Sequence, residues 1–140
     1  MYNIERAFKT AKSRKWTQLY WAIDLHDTIC PADYKTAHTD FYPWAKRTLH
    51  LLSNRLDCVL ILFTSSHQQQ IKETLHWLQH DNGIFFSYVN ENPIIQNIVT
   101  ADFSRKFYFN IMLDDKAGFN PKDWKAIYQL IKKTPILELQ

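Results

Sequence analysis

Residues 19–24 read LYWAID, an unbroken run of apolar side chains that stops at a carboxylate. A strand with one face in water alternates apolar and polar residues, whereas a strand covered on both faces is apolar throughout. The run therefore predicts a buried strand of a parallel sheet. Residues 58–63 read CVLILF and are followed by Thr64 and Ser65. The same pattern predicts a second buried strand there.

The rest of the chain carries helical patterns and shorter apolar runs. Apolar residues at helical spacing predict helices at 3–14, at 43–54, from Ile71 to about Gly83, and at 121–132. Further strands are predicted at 84–89 and 107–113, with a helical turn at 93–99 and a closing strand at 136–139. This alternation predicts an α/β protein, a three-layer Rossmann-like fold with a mostly parallel central sheet.

Length and composition exclude several classes of protein. The 140 residues fit one domain, spanning 1–140, and the 46% apolar and 15% aromatic content excludes a disordered chain. Only 2 glycines are present, which excludes a glycine-rich nucleotide loop. The apolar runs are too short to cross a membrane or to form a signal peptide. With 2 cysteines that form no disulfide or metal pattern, a cytoplasmic location is expected.

The positive charge is concentrated at the N-terminus. The net charge is +3, yet residues 1–15 alone carry +4. The basic residues of this arm are Arg6, Lys9, Lys12, Arg14 and Lys15. We interpret them as the solvated face of the first helix. The alternative is an arm that contacts phosphate groups of a partner such as a nucleic acid.

Polar side chains follow three of the predicted strands at the point where each strand ends. They are Asp24, then Thr64 and Ser65, then Asp114 and Asp115. Ligands of parallel α/β sheets collect at the carboxyl ends of the strands. We therefore expect these groups to lie together and to form the functional site.

Together these groups are suited to phosphoryl chemistry. A carboxylate such as that of Asp24 can attack phosphorus and form an acyl phosphate, which water then hydrolyses. Asp24 with Asp114 or Asp115 could hold Mg²⁺, which offsets the repulsion between two anions. The hydroxyl and backbone donors after the second strand could bind phosphoryl oxygens. Lys106 could balance negative charge in the transition state, or it is a solvated lysine beside a strand.

These motifs resemble those of the haloacid dehalogenase-like (HAD) hydrolase superfamily. Residues 22–29, AIDLHDTI, look like its first motif, a strand followed by D-x-D-x-T. Residues 60–65 look like the second motif, a strand that ends in Thr or Ser. Lys106 stands where the third motif places its lysine, and residues 111–115, IMLDD, look like the fourth. The resemblance covers about residues 20–119. Within the family, the chain is similar to small members that lack a cap domain.

The resemblance implies a role for each matching position in a Mg²⁺-dependent phosphatase. Asp24 would be the nucleophile, forming an aspartyl-phosphate, and also a metal ligand. Thr64, with Ser65 beside it, would bind the transferred phosphoryl group. Lys106 would stabilise the nucleophile and the phosphate. The paired acids that end the fourth motif, Asp114 and Asp115, would position Mg²⁺.

The turn after the first strand holds the main departure from the pattern. Thr28 is expected to fix this turn and to belong to the substrate-binding residues. His26 stands where the family's phosphatases usually carry a second Asp as general acid/base. An imidazole has a suitable pKa for that work. In this family the backbone carbonyl of the position serves the metal, so His26 is also a candidate metal contact. The alternative is a catalytically impaired phosphate-binding or regulatory module. Asp27 replaces the usual glycine.

The chain has no room for a sizeable cap domain. The resemblance therefore implies an open site, suited to a bulky phosphorylated substrate or completed by another subunit in an oligomer. The identity of the group that carries the phosphate stays open.

Histidines outside these motifs raise the question of zinc. His76 and His80 lie four residues apart, on one face of the predicted helix. No further Cys or Glu lies at ligand spacing, so we interpret both as surface or helix-end residues rather than as zinc ligands.

Overall fold

The structure, a computed structural model, describes residues 2–32, 40–93 and 106–138. The strands in this part of the chain are β1 (Leu19–Ile23), β2 (Cys58–Leu62), β3 (Tyr88–Val89) and β4 (Ile111–Leu113). They form one sheet in the order β3-β2-β1-β4, and every pairing is parallel. The predicted α/β, Rossmann-like fold is confirmed.

Within the described ranges, four α-helices connect or flank these strands. They are α1 (Tyr2–Ser13), α2 (Ala45–Ser53), α3 (Gln68–Leu75) and α4 (Trp124–Lys133). The chain continues from α3 as a π-helix, His76–Asp81, and two 3-10 turns precede α4 at Asp115–Ala117 and Pro121–Asp123. Gly83 follows the π-helix with φ 65°, the left-handed conformation in which helices often end. The predicted helix ends are thus close to the observed ones.

The core explains why β1 and β2 are apolar without interruption. Trp21 of β1 is fully buried, and the ring of Phe8 from α1 meets it edge-on with centroids 6.5 Å apart. The same cluster contains apolar residues of α2 and α4, namely Leu49, Leu52, Trp124, Ile127 and Ile131. Burial of each such side chain contributes about 1.5–3 kcal/mol. This packing fixes β1 in the middle of the sheet.

Two predicted strands are shorter in the structure than the sequence indicates. Of residues 84–89 only Tyr88–Val89 pair in the sheet, because the amide of Ile84 bonds instead to the carbonyl of Leu78 at 2.8 Å. Of residues 107–113 only Ile111–Leu113 pair. Just before them, the backbone amide of Asn110 donates to the carbonyl of Tyr20 at 2.8 Å, but the amide of Tyr20 donates to the side-chain oxygen of Asn110 at 2.7 Å, which replaces a backbone acceptor.

The predicted closing strand at 136–139 is wrong for the described residues up to 138, which join no strand. The C-terminal segment is held by a buried ion pair instead. Arg55 donates two hydrogen bonds to Asp57, at 2.8 and 2.7 Å, and others to the carbonyls of Thr134 and Pro135. Asp57 also accepts the amide of Leu137 at 3.0 Å. The helical turn predicted at 93–99 lies outside the described residues from 94 onward.

The surface agrees with the interpretation of the N-terminal arm. Its basic residues on and just after α1 are exposed, while Ile4, Phe8 and Ala11 on the same helix are buried. Cys30 and Cys58 are buried free thiols. Within the described part of the chain, no helix has both the length and the apolar character needed to span a membrane.

Candidate functional site

The carboxyl ends of β1, β2 and β4 open into one cavity of about 260 Å³. Its lining residues are Asp24, His26, Asp27, Phe63, Thr64, Ser65, Asp114, Asp115 and Lys116. Six of the eight predicted site residues are among them, all except Thr28 and Lys106. A larger groove of about 650 Å³ runs beside α1 and β4, but its lining holds a single carboxylate, that of Asp123. The smaller cavity is therefore the candidate site.

Three carboxylates meet at one side of this cavity. Asp24 follows β1 directly, and its amide donates to the carbonyl of Leu113 at 2.9 Å. The parallel register pairs Ile23 with Leu113, so Asp24 and Asp114 leave neighbouring strands side by side. One oxygen from each of Asp24, Asp114 and Asp115 lies within 4.8 Å of the others. The acidic strand ends, distant in sequence, converge as predicted.

Burial and mutual repulsion make this cluster receptive to a cation. Burial, the negative charge of Asp114 and a hydrogen bond with Asp115 together raise the pKa of Asp24 to about 7, and burial contributes most. The donors are all carboxylate oxygens, which are the ligands that Mg²⁺ and Ca²⁺ prefer. A hard divalent cation would relieve the repulsion and allow Asp24 to ionise. The residues present therefore fit Mg²⁺.

This raised pKa predicts a pH-dependent stability. Between about pH 4 and pH 7 the unfolded chain releases the proton of Asp24 while the folded chain keeps it, so the free energy of unfolding falls as pH rises. Without metal, Asp24→Asn should therefore raise the melting temperature at about pH 8 and change it little at about pH 4. We expect roughly 1 kcal/mol, or about 4 °C, after allowance for partial solvent exposure.

The measurement is thermal unfolding in chelator at both pH values, with Asp27→Asn as the control for an exposed carboxylate of the same cavity. Mg²⁺ should raise the melting temperature of the unaltered chain more at the higher pH. Equal responses of Asp24→Asn and the unaltered chain across this pH range would contradict the repulsive cluster.

Thr28 connects the first loop to the paired acids. Its side chain is fully buried, and its hydroxyl accepts the amide of Asp115 at 3.1 Å and lies 3.4 Å from a carboxylate oxygen of Asp24. Its carbonyl accepts the indole N–H of Trp124 at 2.8 Å. Thr28 thus holds the loop after β1 against the paired acids from the buried side of the cavity.

The loop after β2 is held by an asparagine that sequence reasoning missed. The side chain of Asn90 accepts the amide of Thr64 at 2.8 Å and donates to its carbonyl at 2.7 Å. The hydroxyl of Thr64 accepts the amide of Ser66 at 3.2 Å. Asn90 has φ 52°, a left-handed conformation that asparagine tolerates better than most residues. This clamp fixes Thr64 and places Ser65, which is exposed, at the cavity.

The turn that contains His26 keeps a tight conformation although it has no glycine. Asp27 has φ 61°, and its amide donates to the carbonyl of Cys30 at 2.7 Å. Aspartate is among the few residues that enter the left-handed region readily, which explains how it can stand at this position. The side chain of Asp27 accepts the amide of Ala32 at 3.0 Å. His26 is partly buried and lines the cavity.

Among the lysines that the structure describes, Lys116 lines the cavity and Lys106 does not. Lys106 is exposed, and its carbonyl accepts a hydrogen bond from the side chain of Asn92 at 3.3 Å. Asn92 also accepts the amide of Tyr108 at 2.6 Å, so it anchors the backbone on both sides of Phe107. Lys116 follows the paired acids directly, and its amide donates to Asp114 at 2.9 Å. The order Asp-Asp-Lys was a visible signal for this cation.

Comparison with known proteins supports the fold and leaves the function open. No protein family matches the sequence, and no curated protein matches it. The chain is similar in structure to a conserved protein from Bacteroides thetaiotaomicron, with 28% sequence identity and a TM-score of 0.64. The similarity covers 88% of this chain and 99% of that one. No activity is named for that protein. The similarity therefore shows a fold shared over nearly the whole length of the Bacteroides protein.

Proposed function

We propose that this protein is a Mg²⁺-dependent phosphatase, similar to small haloacid dehalogenase-like hydrolases and working through an aspartyl-phosphate. The observation that carries the proposal is the meeting of Asp24, Asp114 and Asp115 within 4.8 Å, beside the hydroxyl-bearing loop at Thr64 and Ser65. A nucleophilic carboxylate, acidic metal ligands and donors for phosphoryl oxygens are the parts that this chemistry needs.

The proposed reaction gives each of these groups a role. An oxygen of Asp24 attacks phosphorus, the bond from phosphorus to the leaving oxygen breaks, and the leaving oxygen takes a proton from the imidazolium of His26. Water then attacks the phosphorus of the aspartyl-phosphate and gives a proton to His26, which releases phosphate and restores Asp24. Hydroxyl groups of Thr64 and Ser65 orient the phosphoryl oxygens throughout. Bound Mg²⁺ would supply positive charge against the carboxylates and the phosphate.

We infer the substrate class from the size of the cavity that the described residues line. The cavity of about 260 Å³ is large enough for a phosphoryl group but small for a whole drug-sized ligand. A substrate that presents a phosphate on a larger body therefore fits best. A partner subunit that covers the site is the other way to enclose the reaction.

His26 supports a second candidate, a phosphate-binding module without turnover. The resembled phosphatases usually carry a second aspartate at this position, and this chain carries His26 instead. Such a module would keep Mg²⁺ and phosphate binding and lose hydrolysis. A substitution His26→Asp would then create or strongly increase phosphatase activity.

The test is phosphate release from an aryl phosphate by metal-stripped protein, with Mg²⁺, with Ca²⁺ and with chelator. The proposal predicts release with Mg²⁺ and little with the other two, because Mg²⁺ holds a tighter and more regular geometry. Binding of inorganic phosphate in Mg²⁺ without release supports the binding module. If the protein neither releases phosphate nor binds it in a Mg²⁺-dependent way, both functions are contradicted.

The two candidate lysines give a further prediction. Lys116→Met should slow turnover about tenfold to a hundredfold, because Lys116 lines the cavity and a positive charge there can stabilise the transition state. Its backbone bond to Asp114 does not depend on the side chain, so the turn stays intact. Lys106→Met should have the smaller effect, and Lys116→Arg should retain most activity. A larger loss in Lys106→Met would instead support the role implied by the family resemblance.

A further inference from the structure

The π-helix after α3 changes which side chains share a face. In an α-helix a residue five positions on points about 140° away around the axis. A π-helix closes its hydrogen bonds between residues five apart, so such residues lie nearly above one another. Over His76–Asp81 this places Asp81 on the face that already carries His76 and His80. A third polar group thereby joins the histidine pair that sequence spacing left without a partner.

The three side chains form a compact group on the surface. A carboxylate oxygen of Asp81 lies 3.0 Å from Nδ1 of His80 and 3.7 Å from Nε2 of His76. The two imidazole rings are 4.4 Å apart and nearly parallel, at 14°. One ligand atom from each residue lies within 4.8 Å of the other two.

The backbone beneath this group is fixed by the protein interior. Leu78 is fully buried in the core cluster. Its carbonyl accepts the amide of Ile84, and the side chain of Asn82 donates to the carbonyl of Trp77 at 2.8 Å. The exposed rings can still turn about their side-chain bonds. The backbone that carries the three side chains is therefore anchored to the core.

We propose that His76, His80 and Asp81 form a surface binding site for a transition-metal ion such as Zn²⁺. Two imidazoles and one carboxylate form a donor set that suits zinc and its neighbours, and does not suit Mg²⁺. Ligand atoms around tetrahedral zinc, with bonds of about 2.0–2.2 Å, lie roughly 3.3 Å apart. The separations of 3.0 and 3.7 Å bracket that spacing. All three side chains are exposed, so water or a partner's side chain would complete the coordination.

The test is calorimetric titration of Zn²⁺ into the metal-stripped full chain in excess Mg²⁺, which competes for the three-carboxylate cluster. His76→Ala and Asp81→Asn should each weaken zinc binding at least about tenfold, as loss of a ligand does at other metal sites. The matched control is His67→Ala, which removes an exposed histidine with no side-chain capping bond at the start of α3. It should leave zinc affinity unchanged.

Thermal unfolding gives a second readout on the same variants. Zn²⁺ should raise the melting temperature of the unaltered chain and of His67→Ala, but not that of His76→Ala, because only ligands bound to the folded state stabilise it. Without zinc, the unaltered chain, His67→Ala and His76→Ala should have the same melting temperature. Zinc binding that persists in His76→Ala, or that is lost in Asp24→Asn, would place the ion elsewhere and overturn the proposal. Absence of zinc binding by the unaltered chain would also overturn it, without touching the phosphatase proposal.

Discussion

Asp24→Asn should reduce phosphate release by at least about a thousandfold, because an amide cannot replace the carboxylate that attacks phosphorus. The substitution keeps the size of the side chain and removes the charge that crowds Asp114 and Asp115. We therefore expect a folded protein whose activity is lost rather than a protein that fails to fold. The measurement is the rate of phosphate release from an aryl phosphate in Mg²⁺, with circular dichroism as the check on folding.

Asp27→Asn is the matched control. It is the same chemical change in the same cavity, and asparagine accepts the left-handed conformation at φ 61° that this position requires. Its activity should stay within about tenfold of the unaltered chain, since an exposed carboxylate outside the cluster contributes little. Equal losses in Asp24→Asn and Asp27→Asn would mean that Asp24 is not the nucleophile.

Arg55→Met should lower the free energy of unfolding by about 3–5 kcal/mol, the usual cost of leaving a buried charge without its partner. The side chain of Asp57 is fully buried, and that of Arg55 is 8% exposed. Burial by itself would raise the pKa of Asp57, but the hydrogen bonds and charge of Arg55 hold that pKa below its ordinary value. Loss of Arg55 also releases the carbonyls of Ile131 and Thr134 at the end of α4. The measurement is urea unfolding followed by circular dichroism.

The control for this variant is Arg47→Met, on the surface of α2. Arg47 lies over the ring of Trp44 at 4.6 Å and is exposed, so its loss should cost less than about 1 kcal/mol. The double variant Arg55→Met with Asp57→Leu should regain part of the loss, because no charge is then left buried. If Arg55→Met costs no more than Arg47→Met, the ion pair does not hold the C-terminal segment in place.

The central strands were predictable because burial on both faces leaves a direct mark on composition. Residues 19–23 and 58–62 are apolar for that reason, and they are the strands observed. The amino-acid composition does not show in this way where the outer strands begin and end. Asn110 ends one pairing with its side chain, and Ile84 bonds within the π-helix turn, so the outer strands are shorter than their apolar runs.

The candidate site was partly predictable for a related reason. Parallel strands bring their carboxyl ends to one edge, so the meeting of Asp24 with Asp114 follows from topology. The contribution of Asn90, which clamps Thr64 from 26 residues away, depends on a loop conformation that no periodicity reports. The place of Lys116 depends in the same way on the 3-10 turn that begins at Asp115. Sequence spacing therefore identifies the candidate carboxylates, and the other residues around the cavity are visible only in the tertiary structure.

The decisive measurement for Asp24 as nucleophile is a crystal structure with Mg²⁺ and beryllium fluoride, a mimic of the phosphoryl group. We expect beryllium fluoride attached to the carboxylate of Asp24, beside a Mg²⁺ ion about 2.0–2.1 Å from oxygens of Asp24 and of Asp114 or Asp115. The hydroxyl of Thr64 or Ser65 should contact a fluorine. An unmodified Asp24, with Mg²⁺ absent from the three carboxylates at saturating concentration, would contradict it.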